Sequence, residues 1–267
     1  MGKRGVMRTG VGGWVFEEWR ANFYPEDLPK TRELEYSSRK LKAIEINATF
    51  YGPQKPATFA KWRDQTPDDF CFSVKAPRFA TQRSRLGEGL EFARGFVSGG
   101  LAELGDKLGP VLWQFSPNKR FDADEMAGFL DGLPGSVDGR VLRHALDARH
   151  ESFMCEAFVA LARQRNMAVV FADTDEYPSY ADLTSNFVYA RLMRSEADEP
   201  QGYPQAQLGQ WAERAREWAA GGAPADLPYV GEPGAAQKTA RDVFLFVISG
   251  AKERAPFAAM ALQERLG

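Results

Sequence analysis

AIEINATFYGPQKPATFAKWRDQTPDDFCFSVKAPRFATQ, residues 43–82, decides how the chain is read, because it holds one complete strand, helix, strand unit. In Ala43-Ile44-Glu45-Ile46-Asn47 the residues alternate, with Ile44 and Ile46 on one side and Glu45 and Asn47 on the other. Residues 70–75 repeat the pattern, setting Phe70, Phe72 and Val74 against Cys71, Ser73 and Lys75. Between them, residues 56–65 carry a proline suited to a first helical turn, Phe59 and Trp62 three apart, and the stop Thr66-Pro67. Two strands joined by such a helix call for a parallel crossover, so both strand C-termini lie at one end of a sheet. Glu45, Asn47 and Lys75 are then expected close together, with the apolar sides packed on helices. Buried charges are costly unless paired, and at this end of a parallel sheet they sit where α/β barrels do their chemistry. A purely structural Glu45–Lys75 ion pair is the alternative.

Outward from this unit, residues 8–13 read as a glycine-rich first strand. Gly10, Gly12 and Gly13 either leave room for close approach to the backbone or meet a packing need. Trp14, Trp19, Phe23 and Tyr24 follow as a hydrophobic plug or a lid, and residues 29–42 form the first long helix. Residues 91–108 read as a helix broken by Gly109-Pro110 before a strand at 111–115, in which Leu112 and Gln114 share a face. A short helix at 122–130 precedes a strand at 140–147 that runs into Ala148-Arg149-His150, with Asp147 and Arg149 on one side. Ser152 caps a helix through Arg165, and a strand at 167–173 ends in Asp173. Residues 187–192 put Tyr189 and Arg191 on one face, and a helix within 199–220 carries Trp211 and Trp218 toward the core. The irregular segment at about 221–241, rich in Gly, Pro and Ala, is a mobile loop or a variable insertion before a strand at 242–248 and a last helix. Eight strands alternating with about eight helical segments predict one α/β domain, a TIM-type (β/α)8 barrel, for which 267 residues is an ordinary length.

Formal net charge is −2 with 26% charged residues, so no overall positive field draws the protein to nucleic acid or anionic membrane. The first ten residues contain no apolar signal region, and no run of eighteen apolar residues occurs, which predicts a cytoplasmic protein. Cys71 and Cys155 show neither metal nor redox spacing. No Walker-type loop, no dinucleotide-binding glycine pattern and no nucleophile-elbow serine is present, so there is no nucleotide-cofactor signature.

The run EINATFY followed by FCFSVKAPRFATQ resembles the domain-of-unknown-function family 72, also called the YecE-like family. The resemblance continues in GVGGW (10–14), FYP (23–25), GPVLWQF (109–115), RHALDARHESF (143–153) and FVYARL (187–192), over nearly the whole chain. It implies a single TIM-type barrel and carries no activity with it. Members of that family place paired asparagines after strand eight, where this chain has Ser249-Gly250, so no role at those positions transfers by resemblance.

The strand ends gather Glu45, Asn47, Lys75, Gln114, Asp147, Arg149, Asp173 and Arg191 at one rim, with Tyr51 and His150 just beyond. Counted so, three carboxylates balance three cations and hold the lysine protonated. Lys75, Arg149 and Arg191 suit a small phosphorylated or carboxylated substrate. Glu45 or Asp147 would act as base, Lys75 as electrostatic stabiliser or Schiff-base amine, and His150 as acid/base, while His144, in mid-strand, reads as structural. Asn47, Tyr51, Gln114, Arg149, Asp173 and Arg191 would bind the substrate. A divalent metal, Mg or Mn, is a second option, its ligands Glu45, Asp147, Asp173 and His150. A nucleic-acid partner is a third, with Trp14, Trp19, Phe23, Tyr24 and Tyr51 stacking bases beside Lys75, Arg78, Arg83 and Arg85. A barrel whose rim charges only stabilise it is a fourth.

Overall fold

A computed structural model describes residues 4–232 and 238–267. Its strands are β1 (Met7–Gly12), β2 (Ala43–Ile46), β3 (Cys71–Lys75), β4 (Leu108–Gln114), β5 (Ser136–Val137), β6 (Arg140–Val141), β7 (His144–Asp147), β8 (Ala168–Val169), β9 (Phe171–Asp173), β10 (Phe187–Leu192) and β11 (Asp242–Val247). Nine of them form one parallel sheet in the order β8-β7-β4-β3-β2-β1-β11-β10-β9. Its two end strands, β8 and β9, are halves of a single strand separated by Val170, whose N–H still donates to the Leu146 carbonyl at 3.0 Å. The sheet therefore curls into a barrel that is all but closed, with eight staves and the predicted TIM-type architecture.

Alternation sorts the side chains as the sequence implies. Ala43, Cys71, Leu112, Tyr189 and Phe246 belong to one apolar cluster inside the barrel. Ile44, Ile46, Phe72, Val74 and Leu192 belong to the larger layer beneath the helices. Those are α1 (Glu33–Lys40), α2 (Ala48–Tyr51), α3 (Pro56–Asp64), α4 (Arg78–Thr81), α5 (Leu90–Ser98), α6 (Ala123–Gly132), α7 (Glu156–Gln164), α8 (Gln205–Ala219) and α9 (Ala255–Leu266). Pro56 opens α3 where its missing N–H costs nothing, and at the other end the Lys107 amine donates to the Arg63 and Thr66 carbonyls at 2.6 Å each. Asp122 caps α6 by accepting from the Glu125 N–H at 2.9 Å.

Several boundaries differ from the sequence reading for identifiable reasons. Gly109-Pro110 does not break the chain before β4 but lies inside it, at a register shift against β3 where proline needs no ladder partner. A Cβ on Gly109 would stand 2.6 Å from the Cys71 Sγ, so only glycine allows this approach. Residues 91–108 are not one helix, because Gly99-Gly100 ends α5 and a tighter helical run follows at Leu101–Lys107. The strand expected at 140–147 is two pieces. Asp138 and Gly139, with φ of 47° and 73°, make a tight hairpin turn that uses Arg140 and Val141 in pairing with β5, and the barrel stave begins only at His144. Ser152 lies in a short helical turn, Glu151–Phe153, ahead of α7 rather than at its cap.

No helix joins β9 to β10; residues 174–186 are irregular. Part of the 221–241 segment packs there, with Asp182 accepting from the Val230 and Gly231 N–H groups at 2.8 and 2.9 Å and the Ala181 N–H donating to the Pro228 carbonyl at 2.8 Å. These bonds hold residues 228–231 against that irregular stretch; residues 233–237 of the segment and residues 1–3 of the N-terminus lie outside the described residues. Trp19, Phe23 and Tyr24 are buried and pack on one another, with Phe23 against Tyr36 and Phe257, so the aromatic loop is a plug.

Candidate functional site

β2, β3, β4, β7 and β10 each deliver one inward polar side chain near their C-terminal ends: Glu45, Lys75, Gln114, Asp147 and Arg191. Arg191 is at their centre, 2% exposed. Its Nη2 donates to Glu45 Oε1 at 3.0 Å, and its Nη1 donates to Asp147 Oδ2 at 2.8 Å and more weakly to Gln114 Oε1 at 3.4 Å. A guanidinium fork is the group able to span two carboxylates from different staves. Burial opposes its charge, but Glu45 and then Asp147 outweigh that and hold it firmly cationic. The second oxygen of Glu45 accepts from the Tyr189 hydroxyl at 2.7 Å, which also contacts the Ser73 hydroxyl at 2.8 Å. Burial first, and the Glu45 charge second, keep that phenol protonated.

The alternative, a structural Glu45–Lys75 ion pair, does not form, because Arg191 and Tyr189 occupy both Glu45 oxygens. Among the described residues no group accepts a hydrogen bond from the Lys75 amine, and no carboxylate lies within ion-pair distance of it. The amine lies over the Phe50 ring, 4.2 Å from its centroid, on a side chain only 8% exposed. The Thr49 hydroxyl donates to the Lys75 carbonyl at 2.7 Å and fixes the backbone there. Burial, then the Arg191 charge, pull the amine down to about 8 against the opposing pull of Glu45 and Asp147. Desolvation thus outweighs the neighbouring carboxylates and lowers the amine, which at neutral pH still stays mostly in the ammonium form expected of it.

Arg149 joins the group from the loop after β7. Its guanidinium donates twice to Asp147 Oδ2, at 3.3 Å each, and stacks 4.3 Å from the Tyr177 ring. Asp173 does not join. It shares the parity of Phe171, which packs outward on Trp211, and forms an ion pair with Arg194 at 3.1 Å, its carboxyl raised by burial. His150 is not in the group either. Its Nδ1 accepts from the Ser152 N–H at 3.1 Å and meets the Ser152 hydroxyl at 2.9 Å, which makes it the cap of a helical turn. His144 accepts from Trp113 Nε1 at 2.9 Å, and burial lowers its imidazole to about 4. Among the described residues no cluster of acidic, histidine or cysteine side chains converges as a metal would require, so Glu45, Asp147, Asp173 and His150 are not brought together as the optional Mg or Mn site needs.

Asn47 and Tyr51 line a neighbouring cavity of about 270 Å³ at the ends of β1, β2 and β11, with Gly12, Phe16, Ser249 and Lys252. Tyr51 packs edge-on against Phe50 at 5.3 Å, which connects this cavity's wall to the ring beneath Lys75. Ser249 and Gly250 have φ of 68° and 65°, the left-handed region that asparagine and glycine tolerate. A Cβ on Gly250 would lie 2.5 Å from the Ser195 carbonyl oxygen, so an asparagine would not fit here without movement.

Sequence reading did not single out Ser73, Phe50 or Tyr177 as parts of the site, nor Arg194 as the group that holds Asp173 away from it. Ser73 and Tyr189 were signalled by sharing a strand face with Lys75 and Arg191; the contacts of Phe50, Tyr177 and Arg194 depend on loops and carry no local signal.

The same architecture appears in known proteins. A DUF72 family protein from Thermotoga maritima superposes with a TM-score of 0.72 at 19% identity, covering 98% of this chain and 99% of that one. A xylose isomerase-like TIM barrel/4-hydroxyphenylpyruvate dioxygenase fusion protein superposes with a TM-score of 0.50 at 15% identity, covering 99% of this chain and 43% of that one. In sequence, the UPF0759 protein YecE of Escherichia coli K12 is 28% identical over 127 residues, 46% of this chain, and the match spans less than half, 43%, of the relative. The family described as "Protein of unknown function DUF72" matches residues 8–267, so from β1 to the end of α9 this chain belongs to that family.

Proposed function

We propose that the barrel is an enzyme whose cup takes a small anionic substrate, phosphorylated or carboxylated, at Lys75 and Arg149. The observation that carries this reading is the charge count once Asp173 is removed to its partner Arg194. Glu45 and Asp147 then face Arg191, Arg149 and Lys75, and among the described residues of this group the cation with neither a hydrogen-bond nor an ion-pair partner is Lys75. An unpaired charge in a desolvated place is costly, and an arriving carboxylate or phosphate neutralises it. In this reading Asn47, Tyr51 and Gln114 orient the substrate, Arg191 holds the two carboxylates in place, and Glu45 or Asp147 moves protons in acid/base or electrostatic catalysis. The protein would work in the cytoplasm; no helix among the described residues is long and apolar enough to cross a membrane.

One observation favours a nucleic-acid partner, the exposed Phe79 and Phe92 with the Arg83 guanidinium 5.6 and 4.7 Å from their rings. Against it, Trp19, Phe23 and Tyr24 are buried and unable to stack bases. Calorimetric titration with phosphate and with pyruvate, at low and moderate salt, separates the two. The enzyme reading predicts saturable, weakly salt-dependent binding that falls at least about tenfold in Lys75→Met while the melting temperature holds or rises. Unchanged binding in Lys75→Met contradicts it, and steep salt dependence with single-stranded oligonucleotides favours the other partner.

A further inference from the structure

We propose that Lys75 binds its substrate covalently, so that the substrate class is a small carbonyl compound with an anionic arm, a 2-oxo acid or an anionic aldehyde. The inference rests on the cup being the substrate site and goes further by naming the atom that reacts. A lysine that served only as a fixed counter-charge would be expected against a carboxylate. Here both nearby carboxylates are engaged by Arg191, at 3.0 and 2.8 Å, and the amine is left over an aromatic ring. A lysine desolvated in an apolar setting beside another cation is a way to obtain a nucleophilic amine near neutral pH. Phe50 supplies the apolar wall and Arg191 the neighbouring cation, while Arg149, Glu45 and Asp147 are the other charged groups acting on the amine.

The step balances without an added reactant. The neutral Nζ attacks the carbonyl carbon, a C–N bond forms, and the carbonyl π electrons move to oxygen. Both amine hydrogens pass to that oxygen, the C–O bond breaks, and water leaves an imine. Since no carboxylate among the described residues lies within 4.0 Å of the amine, the two hydrogens pass from nitrogen to the departing hydroxyl through solvent water.

The test is reductive trapping of the full chain with glyoxylate and cyanoborohydride near pH 7.5, followed by peptide mapping, with glyoxylate binding measured separately by calorimetry. The expected result is modification at Lys75 about tenfold or more faster than at exposed Lys61, because desolvation leaves the Lys75 amine, near 8, with far more neutral form than an ordinary lysine amine carries. Phosphate should slow it, and Lys75→Arg, which keeps the charge, should abolish it while still binding the anion. Adducts spread over exposed lysines with Lys75 unmodified overturn the covalent role, and if calorimetry still shows binding, the anion-binding reading survives alone. Absence of both adduct and binding overturns both.

Discussion

Replacing Arg191 by methionine removes the guanidinium that joins three staves and leaves Glu45 and Asp147, which are 0% and 3% exposed, without their shared cation. Removing one partner of a buried ion pair costs about 3–5 kcal/mol, because the other charge stays desolvated. Two features place this case at the lower end. Tyr189 still donates to Glu45 and Arg149 to Asp147, and the Arg191 Nε has no partner to lose. The expected loss is therefore about 3 kcal/mol, or roughly 10 °C in melting temperature for a domain of this size. Urea unfolding at pH 7, followed by fluorescence and circular dichroism, measures it. A triple variant, Glu45→Gln with Asp147→Asn and Arg191→Met, removes all three charges and should recover most of the loss. A single-variant loss below about 1 kcal/mol, the range of exposed pairs, would refute the claim that these groups are a desolvated network. So would a triple variant less stable than the single one.

Two further perturbations test the frame around the site. Unfolded His144 takes a proton near 6.5 and the buried imidazole not until about 4, so stability should fall as pH drops through that window, by about 3 kcal/mol in all. His144→Gln, which can still accept from Trp113, should flatten that slope in urea midpoints measured against pH. Lys107→Met strips the charged donor from the Arg63 and Thr66 carbonyls at the end of α3 and should cost about 2 kcal/mol by thermal unfolding, without altering anion binding in the cup.

Much of this was legible because a strand has a period of two. Residues 43–47 and 70–75 state which side chains face inward, and the structure follows that statement for Ala43 to Ile46 and for Phe70 to Lys75, while Asn47, past the end of β2, lines the neighbouring cavity instead. The same rule applied to Val169, Phe171 and Asp173 turns Asp173 outward, but the stave that ends in it changes neighbours at Val170, which obscures the alternation in the sequence. Long-range choices were not legible. Glu45 and Arg191 are 146 positions apart, and nothing local tells a carboxylate that a guanidinium rather than the nearer lysine will reach it first. The helix missing between β9 and β10 is replaced by a packing arrangement with residues 228–231, which depends on Asp182 finding two backbone N–H groups across the fold.

Lys75, desolvated and without an acidic partner among the described residues, is poised for an anion, and a pH titration by NMR of the protein labelled at lysine Cε reads that state directly. The account predicts that Lys75 titrates near about 8 in the free protein and moves upward when phosphate is added, since a bound anion favours the ammonium form. A Lys75 signal that titrates at the ordinary lysine value of about 10.4, and does not respond to phosphate, would contradict it.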